Sequence, residues 1–177
     1  MTCIVGLVDN DKVYMGADTF GSNRFTGRSY KEKKIVKKGD MLIGICGDYK
    51  VINYITYEFT PPARTLKEDD RQYIHRVGKA ISTLLGIDND CLEDSNSIGA
   101  SMIIGYNGEL YLYESNGQVL TASDPYATTG SGSYHAEASL YSTQTTKDKP
   151  RTRLKKAIVC ASEFVLSVNN EFQIEVI

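Results

Sequence analysis

Thr2 stands directly behind Met1, and a threonine in that position can do chemistry that few other residues can. Once Met1 is removed, one residue offers both a hydroxyl nucleophile and a free α-amine. That amine has a reference pKa of about 7.7–8, close enough to neutrality to take the hydroxyl proton directly or through a water. Acyl transfer then needs no histidine, which suits a chain with only His75 and His135. The amine must be neutral to act as a base. A nearby ammonium disfavours its protonated form, and a carboxylate can hold that ammonium in place. Asp18 closes the second apolar run, where its side chain can meet a lysine from the next strand. Lys31, Lys33, Lys34, Lys37 and Lys38 are the choices, most of them belonging to a solvated basic face. Lys34 is singled out because "KIV" begins the apolar run into "MLIGICG". Gly47, in "GICGDYK", closes a buried strand ahead of a helix, a setting that can turn a backbone N–H toward an oxyanion. "TGSGS" also precedes a helix, but it lacks the lysine of a P-loop and the third glycine of a dinucleotide fingerprint.

The bulk composition narrows the partners. A net charge of -2 and a pI near 5.7 give no electrostatic case for nucleic acid. No run approaches the ~20 apolar residues that span a bilayer, and residues 1–8 have no basic segment or cleavage site around them. The chain is therefore expected to be soluble and cytoplasmic, with no membrane partner. The cysteines at 3, 46, 91 and 160 form no CxxC pair, so they read as buried free thiols rather than as a zinc or redox site. At 177 residues, one domain over 1–177 is expected.

The elements that must place these residues follow from pattern. "TCIVGLV" and "VYMGADT" read as a hairpin joined by "DNDK". "MLIGICGD" is a short buried strand, and "YKVINYITYEF" a helix stopped by Pro61-Pro62. Ile74, Val77, Ile81, Leu84 and Leu85 make one apolar stripe, the clearest helix in the chain. "DNDCLEDSNS" is a polar connector. A meander follows, in which Asn107-Gly108 and Asn116-Gly117 both predict type I′ turns. Two further helices, "YHAEASLYST" and one built on Leu154, Ala157, Ile158 and Ala161, precede a final strand, "NEFQIEVI". Segregated strands and helices of this kind argue for an α+β sandwich.

In their order, these motifs resemble the proteasome β-type subunits and the bacterial HslV peptidase, within the N-terminal nucleophile hydrolases. "TCIVGLVDNDKVYMGADT" is similar to the family's catalytic strand and G-x-D element, and "KKIVKKGDMLIGICGD" to its lysine strand and glycine turn. "ASMIIGYNGELYLYESNGQVL" parallels its central hairpin, and "YATTGSGSYHAEA" its G-S-G helix entry. The resemblance implies a four-layer αββα sandwich and a threonine endopeptidase. Thr2 would be the nucleophile, Asp18 and Lys34 would tune its amine, Gly47 would supply the oxyanion N–H, and Ser131 would hydrogen-bond near the threonine. Gly21, Ile45 and Gly47 would bind substrate, with Ile45 favouring cleavage after apolar residues. The family pairs a small polar or acidic residue with a serine or threonine behind the nucleophile; here those positions fall on Val165 and Val168, with Ser162 and Ser167 close by. The resemblance further implies a homo-oligomeric ring or double ring acting on peptides. An ATP-dependent unfoldase would be needed for folded substrates, since the chain has no Walker motif of its own. No cofactor is implied, beyond a structural cation at backbone carbonyls near the C-terminal turn. Two other readings use the same features: an inactive ring or scaffold subunit, motivated by Val165, Val168 and a retained Met1, and a small-amide acylase.

Overall fold

The computed structural model describes residues 2–22, 26–86 and 99–177. The predicted connector at 88–97, with Cys91, lies outside them. The first hairpin forms as expected, from β1 (Cys3–Asp9) and β2 (Lys12–Asp18). Asn10 and Asp11 both take positive φ, 49° and 58°, the backbone that a two-residue type I′ turn requires. Two short strands follow, β3 (Phe20–Ser22) and β4 (Gly27–Ser29), and then β5 (Ile35–Lys38) and β6 (Met41–Gly47).

Asp48 caps α1 (Tyr49–Asn53) by accepting from Lys50 N at 2.8 Å, and a π-helical turn over Tyr54–Glu58 carries the chain toward the prolines. α2 (Asp70–Gly86) buries Ile74, Val77, Ile81 and Leu85 of its predicted stripe. The meander is β7 (Ala100–Tyr106), β8 (Glu109–Tyr113) and β9 (Val119–Thr121). Asn107-Gly108 is the expected I′ turn, with φ of 49° and 76°. Asn116-Gly117 is not. Only Gly117 has positive φ there, and Gly117 N bonds Glu114 O while Glu114 N bonds Gln118 O, so the turn has three residues and ends in a bulge. β10 (Tyr126–Gly130), α3 (Ser133–Ser142), α4 (Pro150–Phe164) and β11 (Phe172–Val176) complete the order.

The strands pair into two main sheets, β10-β1-β2-β11 and β5-β6-β7-β8-β9, with β3-β4 a separate ribbon. Alternation along each strand sends side chains to both faces, and both faces are apolar. Cys3, Val5 and Leu7 of β1 pack with Leu154, Ala157 and Ile158 of α4. Ile43 and Ile45 of β6 pack with Ile74, Val77 and Ile81 of α2. Between the sheets, Ile4 and Met15 meet Leu42, Ile103 and Leu110. Three apolar clusters thus tie a mixed α/β chain together and fix the open end of β1 against β2, β6 and β10. Among the described residues, no helix is long and apolar enough to cross a membrane.

Candidate active site

Thr2 is only 2% exposed, held at the start of β1. Its backbone nitrogen donates to Ser131 Oγ at 3.2 Å, and its carbonyl lies 3.3 Å from both Ser131 Oγ and Gly132 N. Gly130, at φ +98°, brings β10 so close that a β-carbon would collide with the Thr2 carbonyl. Ser131 in turn meets Ser167 Oγ at 3.1 Å.

Asp18 ends β2 fully buried. Its Oδ1 accepts from Cys3 N at 2.8 Å and its Oδ2 from Phe20 N at 3.0 Å, so the carboxylate fixes the amide immediately after Thr2. Lys34 Nζ lies 3.0 Å from both carboxylate oxygens and donates to Phe20 O at 2.6 Å. The lysine backbone is pinned too: Lys34 O accepts from Ile45 N at 2.9 Å, and the Gln173 amide, assigned the orientation that pairs its oxygen with donors, accepts from Lys34 N at 2.7 Å. Burial pushes the Asp18 carboxyl up, opposed first by Lys34 and then by the Cys3 N–H. Burial pushes Lys34 down, opposed by Asp18. The remaining lysines behave as surface groups where their bonds are described: Lys33 pairs with Glu175 and Lys38 donates to Thr56 O.

Thr2, Lys34, Gly21 and Gly47 line one cavity of about 420 Å³. Gly47 sits on its rim at φ +153°, where a β-carbon would fall 2.9 Å from Gly99 O, so no other residue fits without a shift. A separate cavity of about 480 Å³, bordered by Lys31, Lys37, Tyr57 and Glu175, includes none of the predicted site residues.

Two expectations change. Ile45 is fully buried among the α1 and α2 side chains and does not line the Thr2 cavity; Ile52, one turn into α1, takes the aliphatic place on its wall. The positions behind the nucleophile also differ. Val168 is 5% exposed in the α3–α4 cluster and Val165 packs against it, whereas Ser167 carries the hydroxyl that reaches Ser131. Ser162 turns back onto Val159 O within its own helix. The expectation of buried thiols holds for Cys3, but Cys46 and Cys160 are half-buried. Burial pushes the Cys3 thiol up to about 12, so the residue beside Thr2 stays a neutral thiol. Neither histidine lines the cavity: His75 is exposed on α2 and His135 stacks on Phe164 at 5.0 Å. Among the described residues, no three Cys, His, Asp or Glu side chains group as a metal site.

The fold is of the proteasome type, similar to HslV. Thiobacillus denitrificans BPH superposes with a TM-score of 0.83 at 20% identity, covering 99% of this chain and 97% of that one. The same protein in complex with epoxomicin gives 0.80 at 20%, covering 99% and 98%. Eukaryotic HslV from Trypanosoma brucei gives 0.69 at 18%, covering 99% and 98%. No protein-family model and no curated protein matches the sequence.

Proposed function

We propose that the chain is a threonine-type peptidase with the four-layer αββα architecture of the N-terminal nucleophile hydrolases, active after removal of Met1. The observation that carries this reading is that Thr2, bonded to Ser131, and Lys34, paired with Asp18, meet at one cavity. Thr2 Oγ1 attacks the peptide carbonyl carbon while its proton passes to the Thr2 amine. The oxyanion meets the Gly47 N–H, and collapse expels the leaving amine with the proton from the Thr2 ammonium. An ester to Thr2 remains; water, deprotonated by the same amine, hydrolyses it and regenerates the hydroxyl. Asp18 holds the strand through the Cys3 amide and holds Lys34 through two oxygens. The lysine charge, on the same cavity wall, lowers the proton affinity of the amine.

In this reading the chain works as a homo-oligomeric ring or double ring in the cytoplasm, fed with unfolded substrate by a separate ATP-driven partner. A structural cation at backbone carbonyls near the C-terminal turn belongs to the same proposal. The Ser167 hydroxyl, 3.1 Å from Ser131, supports the active reading over the inactive scaffold that Val165 and Val168 suggest. Intact-mass analysis with epoxomicin, a peptidyl epoxyketone, tests the proposal. Purified protein should lack Met1 and gain one inhibitor mass, and Thr2→Ala should lose both adduct and peptide turnover. Permanent retention of Met1, or an adduct that survives Thr2→Ala, overturns it.

A further inference from the structure

β11 and β5 are edge strands of the two main sheets, where backbone groups lack a further strand to bond. Side chains bridge the two edges. Glu171, just ahead of β11, and Gln173 and Glu175 within it are spaced by two, and all three reach the segment that leads into β5. Glu171 Oε2 accepts from Ser29 Oγ at 2.6 Å, and Glu175 Oε1 accepts from Lys33 Nζ at 2.8 Å, both in exposed surroundings. Gln173, between them, is half-buried and meets backbone instead. Its amide lies 2.7 Å from Lys34 N and 2.8 Å from Ile35 N. Two N–H donors can be answered only by an acceptor, so the oxygen is assigned to that side. Lys34 and Ile35 are 1% and 2% exposed, which leaves little water to take its place. The backbone of β11 completes the link, since it pairs with β2 in the register Phe172 to Asp18 and Gln173 to Ala17. One strand thus holds both members of the buried ion pair, Asp18 through the β2 ladder and Lys34 through a side chain.

We infer that Gln173 is a positioning residue for the Lys34 charge: by binding two successive N–H groups it sets where the lysine leaves the chain, and so where its ammonium stands relative to the Thr2 amine. The role rests on the peptidase reading above, in which that charge keeps the amine a base. Lys34 Nζ has acceptors in Asp18 and Phe20 O. A flexible four-carbon stem nevertheless holds a charge in place only as well as its own backbone is held. Besides Asp18, the ionisable groups beside Lys34 are the Cys3 and Cys46 thiols, which burial keeps neutral. Asp48, on the same cavity wall, is exposed to solvent.

The test titrates the Thr2 amine without requiring turnover. Each variant is produced behind a ubiquitin that is cut off ahead of Thr2, so every sample carries the α-amine. Competitive acetylation across pH, read by mass spectrometry of the N-terminal peptide, gives its titration. Gln173→Met should melt at a lower temperature than wild type, and its amine should titrate about half a pH unit higher, as expected when a unit charge moves by an ångström or two. Gln173→Ser, which lets water reach both N–H groups, should raise the amine less and decides the matter if Gln173→Met does not fold. Glu175→Gln, which breaks only the exposed pair, should leave the amine unmoved. In the Lys34→Met, Asp18→Leu background, adding Gln173→Met should leave it unmoved as well, because the charge to be placed is gone. An amine that titrates as in wild type in the folded Gln173 variant, or one that moves equally without Lys34, overturns the inference and leaves Gln173 a purely structural residue. The expected rise in a protein whose wild type cuts no peptide keeps this inference and loses the peptidase. An unmoved amine in a protein that cuts peptides does the reverse.

Discussion

Lys33 and Lys34 each reach from the approach to β5 across to the four-stranded sheet, the first to Glu175 at 2.8 Å and the second to Asp18 at 3.0 Å. Their surroundings differ as much as two sites can. The Lys33 and Glu175 side chains are 65% and 37% exposed, the Lys34 and Asp18 side chains 1% and 0%. In water the first pair gains little, because solvent and salt screen it and two long side chains must be ordered. The second pair has lost its water, and well-packed hydrocarbon in its place is often as stable or more so. A stability argument therefore explains neither pair well. In the proposed peptidase the buried one serves as a charge on the cavity wall that Thr2 shares, at a cost in folding free energy that the surrounding hydrogen bonds offset.

Breaking the buried pair should have the largest effect. Lys34→Met strands a carboxylate in the interior and is expected to destabilise the fold by about 3–5 kcal/mol in urea unfolding at neutral pH. Burial already raises the Asp18 pKa in the folded protein, so the folded state of this variant holds a proton more tightly than the unfolded chain does. Its deficit should therefore shrink as pH falls through the raised folded value and reappear as pH rises. Lys34→Met with Asp18→Leu should recover stability without recovering turnover, which separates the folding role of the pair from its electrostatic one. Any residual activity of Lys34→Met should have its acid limb at higher pH than wild type, because removing a like charge raises the proton affinity of the Thr2 amine.

Ser167→Ala comes next: about 0.5–1.5 kcal/mol of stability and a measurable loss of kcat, with Ser162→Ala changing neither. Lys33→Met should cost less than about 1 kcal/mol, and raising the salt concentration should erase the difference. The smallest effect expected is none. Cys3, with its thiol near 12, should resist iodoacetamide at pH 8 in the folded protein, as judged by peptide mapping. Rapid alkylation there would mean that the strand beside Thr2 opens.

What the sequence disclosed follows the same division between local and distant causes. The Asn107-Gly108 turn, the α2 stripe and the first hairpin were legible because each is set by residues a few positions apart. Asp18 and Lys34 could be paired because both close or open strong apolar runs. Strands β3 and β4, three residues each, offer too few positions for alternation to register. β10 lies in "YATTGSGS", which reads from the sequence as the entry to a helix, and its pairing with β1 makes it a strand. Ser167 was visible as a nearby hydroxyl, but whether it or Val168 faces Ser131 depends on how the chain leaves α4, where Val168 N bonds back to Val165 O. Ile45 is buried in the cluster that α1 and α2 make against β6, and Ile52 of α1 lines the cavity instead.

The bonds that seat Thr2 through its carbonyl and through the Cys3 amide all lie on the side of the chain that the proposed removal of Met1 would leave intact. Trimming the preceding residue therefore cuts none of them. A freshly exposed chain end ordinarily frays; removal of Met1, as proposed, would leave this one already clamped.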